Sequence, residues 1–202
     1  MSGADASSVG RPQPLIRGQK VWLRATERSD IPNFLRWFND AETSSFLSMR
    51  APMSQVSEET WFERIQAEEG KSAYHFVICM LDDGRPIGTI GLFDIDYLNG
   101  AAGMGVSIGE KELWSRGLGT DALFALLDFA FGELRMERIW LEVYHYNPRG
   151  RRSYEKCGFV LEGTLRRAVY RRGEYHDMHV MAILRDEWAA QDRPRGWEIG
   201  VG

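Results

Sequence analysis

Between residues 101 and 144 a strand-like run, a glycine turn, a long apolar run and a second strand-like run follow one another, and few architectures accept that order. Ala101 to Gly109 reads as a strand. The octet Trp114-Ser115-Arg116-Gly117-Leu118-Gly119-Thr120-Asp121 reads as a turn opening a helix from about Gly117 to Phe131, and Ile139 to Tyr144 reads as the next strand. Strand, crossover helix and strand imply a parallel pair with a right-handed connection, so the turn lies at the carboxyl end of the first strand. Two glycines let the backbone turn tightly, and the unpaired donors of the first helical turn face whatever sits there, an arrangement that fits a diphosphate. A glycine turn that merely starts a buried helix matches the octet equally well.

The rest of the pattern surrounds that unit. Lys20 to Arg24 alternates as a first strand, Ser29-Asp30 caps a helix running to Phe38, and Ser57 caps a second helix with Glu58 and Glu59 in its first turn, ending near Gly70. Tyr74 to Leu81 and Pro86 to Phe93 are joined by Asp82-Asp83-Gly84-Arg85 as a hairpin. Asn147 to Cys157 is a short helix, and Phe159 to Arg171 pairs with Glu174 to Leu184 around Arg172-Gly173. With 202 residues the chain suits one domain, over 15–190, between a loose N-terminal tail at 1–14 and a Gly- and Pro-containing tail at 191–202.

Composition excludes several function classes. Charged residues at 27% and hydrophobic ones at 44% belong to a globular protein rather than a disordered or membrane one. The apolar run after Gly117 is too short to span a bilayer and contains Asp121 and Asp128. A net charge of −4 argues against a nucleic-acid binder, although Arg149, Arg151, Arg152 and the pairs Arg166-Arg167 and Arg171-Arg172 are local basic exceptions, mostly a solvated face, with contact to the phosphates of a bound cofactor open to some of them. Cys79 and Cys157 read as core thiols, which leaves neither a disulfide framework nor a metal site. The N-terminal stretch lacks the pattern of a secretory signal, so a cytoplasmic address is expected.

A second constellation lies downstream in Asn147-Pro148-Arg149-Gly150-Arg151-Arg152-Ser153-Tyr154-Glu155-Lys156-Cys157-Gly158-Phe159. Asn147 stands at a strand's exit and Tyr154 two turns into the following helix, so both can face one cleft; singly, the first is an ordinary N-cap and the second a core ring. With both signatures in this order, residues 20–188 resemble the GNAT superfamily of acetyl-CoA-dependent N-acetyltransferases. Arg36-Trp37-Phe38-Asn39-Asp40, Glu162-Gly163-Thr164-Leu165-Arg166 and Gly173-Glu174-Tyr175-His176-Asp177 are most similar to its branch of ribosomal-protein N-terminal and polyamine acetyltransferases.

The resemblance implies a fold of the α/β (α+β) class: one domain with a mixed, mostly antiparallel sheet of about seven strands, a central parallel splayed pair, and flanking helices. It implies acetyl-CoA as acyl donor, with Val106, Ser107 and Ile108 offering backbone groups to the pantetheine arm. Trp114, Ser115, Arg116, Gly117, Leu118, Gly119 and Thr120 would hold the diphosphate, Asn147 would bond the amide-bearing arm, and Tyr154 would sit by the sulfur as the acid. The acceptor would be an amine on a protein N-terminus or on a small polyamine or antibiotic, and relatives often form homodimers.

The pattern is departed from at Ala102-Gly103-Met104-Gly105-Val106, where many relatives carry a glutamate, so the general base is unassigned. That gap motivates a non-catalytic coenzyme A-binding module as the alternative, whereas a dinucleotide-binding oxidoreductase lacks its third glycine. Glu142, whose position suits a structural salt bridge better, Asp94 and Asp96 at a strand end, where Asp is also ordinary turn chemistry, and His145, His176 and His179 are titratable candidates for the base. Substrate selection falls to the irregular segment from Asn39 to Met53 and to the last hairpin, with Phe46, Met49, Arg50, Asp94 and Asp177 as candidate contacts, Asp177 being equally placed to hold Arg166.

Overall fold

A computed structural model describes residues 14–199, and its centre is an eight-stranded sheet in the order β1-β2-β3-β4-β5-β6-β8-β7. The strands are β1 (Ile16–Arg17), β2 (Val21–Ala25), β3 (Tyr74–Met80), β4 (Pro86–Asp96), β5 (Ala101–Ile108), β6 (Arg138–Tyr144), β7 (Val160–Arg171) and β8 (Glu174–Leu184). Every neighbouring pair is antiparallel except β5 and β6, which the helix α4 (Leu118–Asp128) connects. The mixed sheet with one parallel pair is as expected. The eighth strand is β1, a two-residue piece too short to register as an alternating pattern.

Strand alternation separates two packed layers. On one face Leu23, Ile78, Leu92, Ile139 and Leu141 meet Leu123, Leu126 and Leu127 of α4 in a single core. On the other, Val77 and Cys79 are covered by Phe34, Trp37 and Phe38 of α1 (Ile31–Phe38), with Trp61 of α3 (Gln55–Glu68) packed alongside. Between those helices stands the one-turn helix α2 (Ala41–Ser44), capped by the Asp40 side chain. The helix α5 (Pro148–Lys156) follows β6, and α6 (Arg185–Ala189) follows β8.

Two helix starts differ from the sequence reading. Asp30 makes no side-chain cap to α1; its carboxylate pairs instead with Arg24 and accepts the N–H of Glu27, around a short 3-10 turn. α3 begins three residues before the expected position, because Ser54 and Ser57 cap each other's backbone and make Ser57 the third helical residue. That shift turns Glu58 inward. It is fully buried, neither carboxylate oxygen has a hydrogen-bond partner among the described residues, and burial raises its pKa above the ordinary carboxylate value.

Two aspartates of α4 fix the helix in place. Asp121 accepts the backbone N–H groups of Gln19, Lys20 and Val21 at 2.8–3.0 Å, tying the first turn of α4 to the start of β2. Asp128 is buried and accepts from Trp188 Nε1 at 2.9 Å, from the Arg193 guanidinium at 2.6 and 2.9 Å, and from the Gly196 N–H at 2.8 Å. Residues 191–199, within the segment read as a tail, are therefore docked, with Trp197 packed on Trp188 and the Arg195 guanidinium over the Trp188 ring.

Asp128→Ala leaves Arg193 without its carboxylate and is expected to cost roughly 3–5 kcal/mol in urea unfolding, with Trp197 fluorescence reporting release of the C-terminal segment. An unchanged midpoint would show that the cluster does not hold the segment. Glu58 has the opposite sign. Its folded-state pKa is raised, so the stability it permits is complete below the unfolded carboxylate value of about 4.3 and is lost as pH rises through the folded value. Glu58→Met should raise the melting temperature at about pH 8 and do so less at about pH 5, a gain of roughly 1–3 kcal/mol at the higher pH.

Candidate active site

β5 and β6 pair only at Ala101–Arg138, Ala102–Ile139 and Gly103–Trp140, and beyond these residues they part. Phe93 marks the point of separation. Its ring lies where a Cβ on Gly103 would be, and it meets Trp140 edge-on at 5.5 Å. On the far side β5 stays paired to β4, and β6 stays paired to β8 as far as Tyr144. The result is a cleft through the sheet of about 400 Å³.

The ladder's alternation decides which backbone groups enter the gap. The Gly109 N–H donates to Ile87, so Ser107 and Gly105 direct their amides toward β4 while Val106 and Ile108 direct theirs away from it. Ser107 is thus spent on its neighbour, contrary to the expectation that it would serve a ligand's arm. The Ile108 carbonyl accepts Trp114 Nε1 at 2.7 Å. Val106 remains as the strand residue with both backbone groups at the open edge.

The glycine turn ends the cleft. Ser115 and Gly117 are left-handed, with φ of 62° and 80°, and Gly117 is the N-cap of α4. Alternating handedness turns successive N–H groups to one side, and the amides of Ser115 to Thr120 have no acceptor among the described residues, whereas the Asp121 N–H closes back on the Gly117 carbonyl. A Cβ at Gly119 would meet nothing nearer than Ile108 Cγ1 at 3.6 Å, so the free fold does not require glycine there. These donors at a helix N-terminus fit a diphosphate. Arg116 contributes its backbone to the turn, while its side chain is exposed and outside the cleft lining.

Charge arrives from Arg149, one of the arginines for which the sequence leaves both a solvated face and a phosphate contact open. The Arg149 guanidinium lies 3.8 Å over the Trp114 ring and 5.5 Å over Phe46, lines the cleft, and has no carboxylate within ion-pair distance among the described residues. Burial lowers its pKa. Arg151 points away and pairs with Glu155 one turn on.

Asn147 and Tyr154 both line the cleft. Asn147 is also the N-cap of α5: its Oδ1 accepts the Gly150 N–H at 2.9 Å, which leaves its amide N–H groups for the cavity. Tyr154 packs against Phe159 in the core, is 9% exposed, and its hydroxyl has no protein partner among the described residues. Burial pushes that phenol up to about 12. Cys157 is a core thiol, likewise pushed up to about 12 by burial.

On the helix-covered face the cleft opens into a second cavity of about 310 Å³, the two sharing Leu47, Ser48, Phe93, Gly105, Val106 and Ser107. Phe46 lines the first and Met49 the second. Arg50, Asp94 and Asp177 line neither. Asp94 sits at the β4 bulge with φ 50°, and Asp177 accepts the Arg167 N–H at 2.8 Å within the β7 bulge rather than holding Arg166. His145 stacks on His176, His179 bonds Thr164, and none of the three lines either of these two cavities. Glu142 has no ion pair among the described residues and lines the cleft, so the salt-bridged role that its position suggested is not the one it has.

Two residues escaped the sequence reading. Arg171 donates to the carbonyls of Ser44, Leu47 and Met49, so the last hairpin clasps the irregular segment. His75 lines the second cavity. Its signal was a lone imidazole on a strand face shared with Val77 and Cys79, legible from alternation once that face is known to be covered.

Comparison with known proteins agrees with this geometry. Residues 20–160 match the family model described as an acetyltransferase (GNAT) domain. The chain is 30% identical to a probable N-acetyltransferase, YjcK, of Bacillus subtilis, across 84% of this chain and 97% of that protein. It is 32% identical to a spermidine N(1)-acetyltransferase of Vibrio cholerae, across 84% and 95%. Among solved structures, a Vibrio cholerae spermidine N-acetyltransferase in complex with CoA and spermine superposes with a TM-score of 0.78 at 27% identity, covering 84% of this chain and 98% of that one.

Gly119→Val separates cofactor contact from fold. Because the free chain has room for a Cβ there, the melting temperature should stay near that of the parent while coenzyme A affinity falls by roughly 10-fold or more in calorimetry. Unchanged affinity would mean that the turn does not contact the ligand.

Proposed function

The chain belongs to the acetyltransferase (GNAT) family and is an N-acetyltransferase using acetyl-CoA; from that premise we propose that it passes the acetyl group directly to a primary amine of a small molecule held in the second cavity. The observation that carries this reading is the junction of the two cavities at Gly105, Val106 and Ser107, where an acyl group on one side meets an amine on the other. A direct transfer needs both reactants present at once. Support for a small acceptor over a protein N-terminus comes from the relatives, which include a spermidine N(1)-acetyltransferase and a spermidine N-acetyltransferase solved with CoA and spermine.

Acetyl-CoA supplies an activated acyl carbon and a sulfur leaving group: the N–C bond forms, the C–S bond breaks, and one proton of the amine is released. The chain's residues divide the remaining work. The amides of Ser115 to Thr120 and the Arg149 charge hold the diphosphate, and the backbone of Val106 pairs with the arm as one more strand would. Asn147 donates its side-chain amide to that arm. The Val106 N–H, fixed at the strand edge, offers a donor to the carbonyl oxygen as negative charge develops there.

Tyr154 serves the sulfur. A thiol ionises near about 8.5, so a phenol raised to about 12 stays protonated and donates a hydrogen bond to the departing thiolate without handing over its proton. Tyr154→Phe is therefore expected to lower kcat by roughly 10²-fold with little change in acetyl-CoA affinity, measured by thiol release and calorimetry. An unchanged kcat would remove Tyr154 from this role. The parent chain should transfer acetyl to at least one small primary amine. Acetyl-CoA binding without transfer to any would overturn the direct reaction.

A further inference from the structure

We propose that His75, with Glu69 at its back, is the group that takes the proton from the acceptor amine, and that the acceptor is an amine carried on an apolar or aromatic body. The proposal rests on the acetyl-transfer reading above. It fills the vacancy left on β5, where no carboxylate is present among residues 102–106.

Register brings the imidazole to the reaction. His75 pairs with Gly91 and Gly91 with Gly105, so one row crosses β3, β4 and β5 on the helix-covered face. Both partners are glycines. Neither residue puts a side chain of its own between the imidazole and the strand segment at the junction of the two cavities. Adjacent strands are about 4.8 Å apart, so the row spans roughly 10 Å between the Cα atoms of His75 and Gly105. The imidazole lines the same cavity as Gly91 and Gly105, so an amine nitrogen in that cavity meets it directly or through one water.

The ring's two nitrogens are differentiated. Nδ1 is sealed in, has no hydrogen bond, and lies 3.7 Å from Glu69 Oε2, which also accepts the His75 backbone N–H at 3.2 Å. Trp61 braces the ring edge-on at 5.8 Å. Nε2 is not sealed and has no partner among the described residues, so it is the nitrogen available to a ligand. Glu69 faces the positive charge that forms when Nε2 accepts a proton, and the ring is held so that only one nitrogen can do so. Glu69 is thus a positioning residue.

The same cavity selects the acceptor's body. Its lining contains Phe38, Met49, Trp61 and Phe93, and no Asp, Glu, Lys or Arg. A polyamine would bring further ammonium groups against a lining that holds no carboxylate, which costs desolvation without return. Aromatic walls favour a flat or aliphatic body, with the amine directed toward Gly105.

The test uses acetyl-CoA with phenethylamine, spermidine and aniline. The parent chain should favour phenethylamine over spermidine by at least roughly 10-fold in kcat/KM. His75→Gln should lower kcat for phenethylamine by roughly 10²-fold while leaving acetyl-CoA affinity unchanged, and should affect aniline far less, because that amine is already neutral and needs no base before attack. Glu69→Gln should give the same selective pattern at smaller amplitude. If His75→Gln fails to fold, as judged by its melt, His75→Asn replaces it. Preference for spermidine overturns the acceptor class, and equal losses on the two aromatic amines, or none, overturn the role of His75. Failure of the parent chain to bind acetyl-CoA or to acetylate any amine would instead overturn the transferase reading beneath it.

Discussion

Everything in this molecule's chemistry depends on two parallel strands that stop pairing. β5 and β6 share three residue pairs and then diverge, which leaves backbone polar groups in the middle of a sheet without partners. Such groups are costly to bury unpaired. The fold keeps them at a cleft, where a ligand with an amide-bearing arm can complete the ladder. The divergence is enforced rather than incidental, since Phe93 sits on Gly103 and against Trp140 at the point of separation. On each side the neighbouring antiparallel strands hold β5 and β6 in place.

The rest of the structure fixes that opening at its two ends. At one end Asp121 binds the first turn of α4 to the chain before β2, and the left-handed Ser115 and Gly117 aim the free amides into the cleft. Glu110, just after β5, accepts from Arg36 and from Trp37 Nε1, so α1 is locked to the strand that carries Val106. The Arg36 guanidinium holds the Glu110 carboxyl below the usual carboxylate range. At the other end Arg171 clasps the segment that roofs the second cavity, which couples the last hairpin to the acceptor side.

Much of this was legible in the amino-acid order because it is local. The strand, glycine turn and apolar helix between 101 and 131 declare themselves through period and punctuation, and so do the hairpins around Gly84 and Gly173. What could not be read was non-local. The inward turn of Glu58 depends on which of two serines caps α3. The commitment of Ser107 to β4 depends on ladder phase, the burial of Arg149 on Trp114 depends on a loop approaching a helix, and His75 matters only once Gly91 and Gly105 are known to stand beside it. Asp94 and Asp177 show the converse, since acidic residues near an expected cleft turned out to serve strand bulges, Asp94 in β4 itself and Asp177 in the neighbouring β7.

The central claim is that unpaired amides of the split strand and the glycine turn are the cofactor's binding surface. Amide hydrogen exchange followed by NMR, with and without acetyl-CoA, tests it residue by residue. The account predicts that protection rises at Val106 and at the amides of Ser115 to Thr120, while Ser107, already paired to β4, changes little. Protection that appears elsewhere, with those amides exchanging as fast as before, would contradict it.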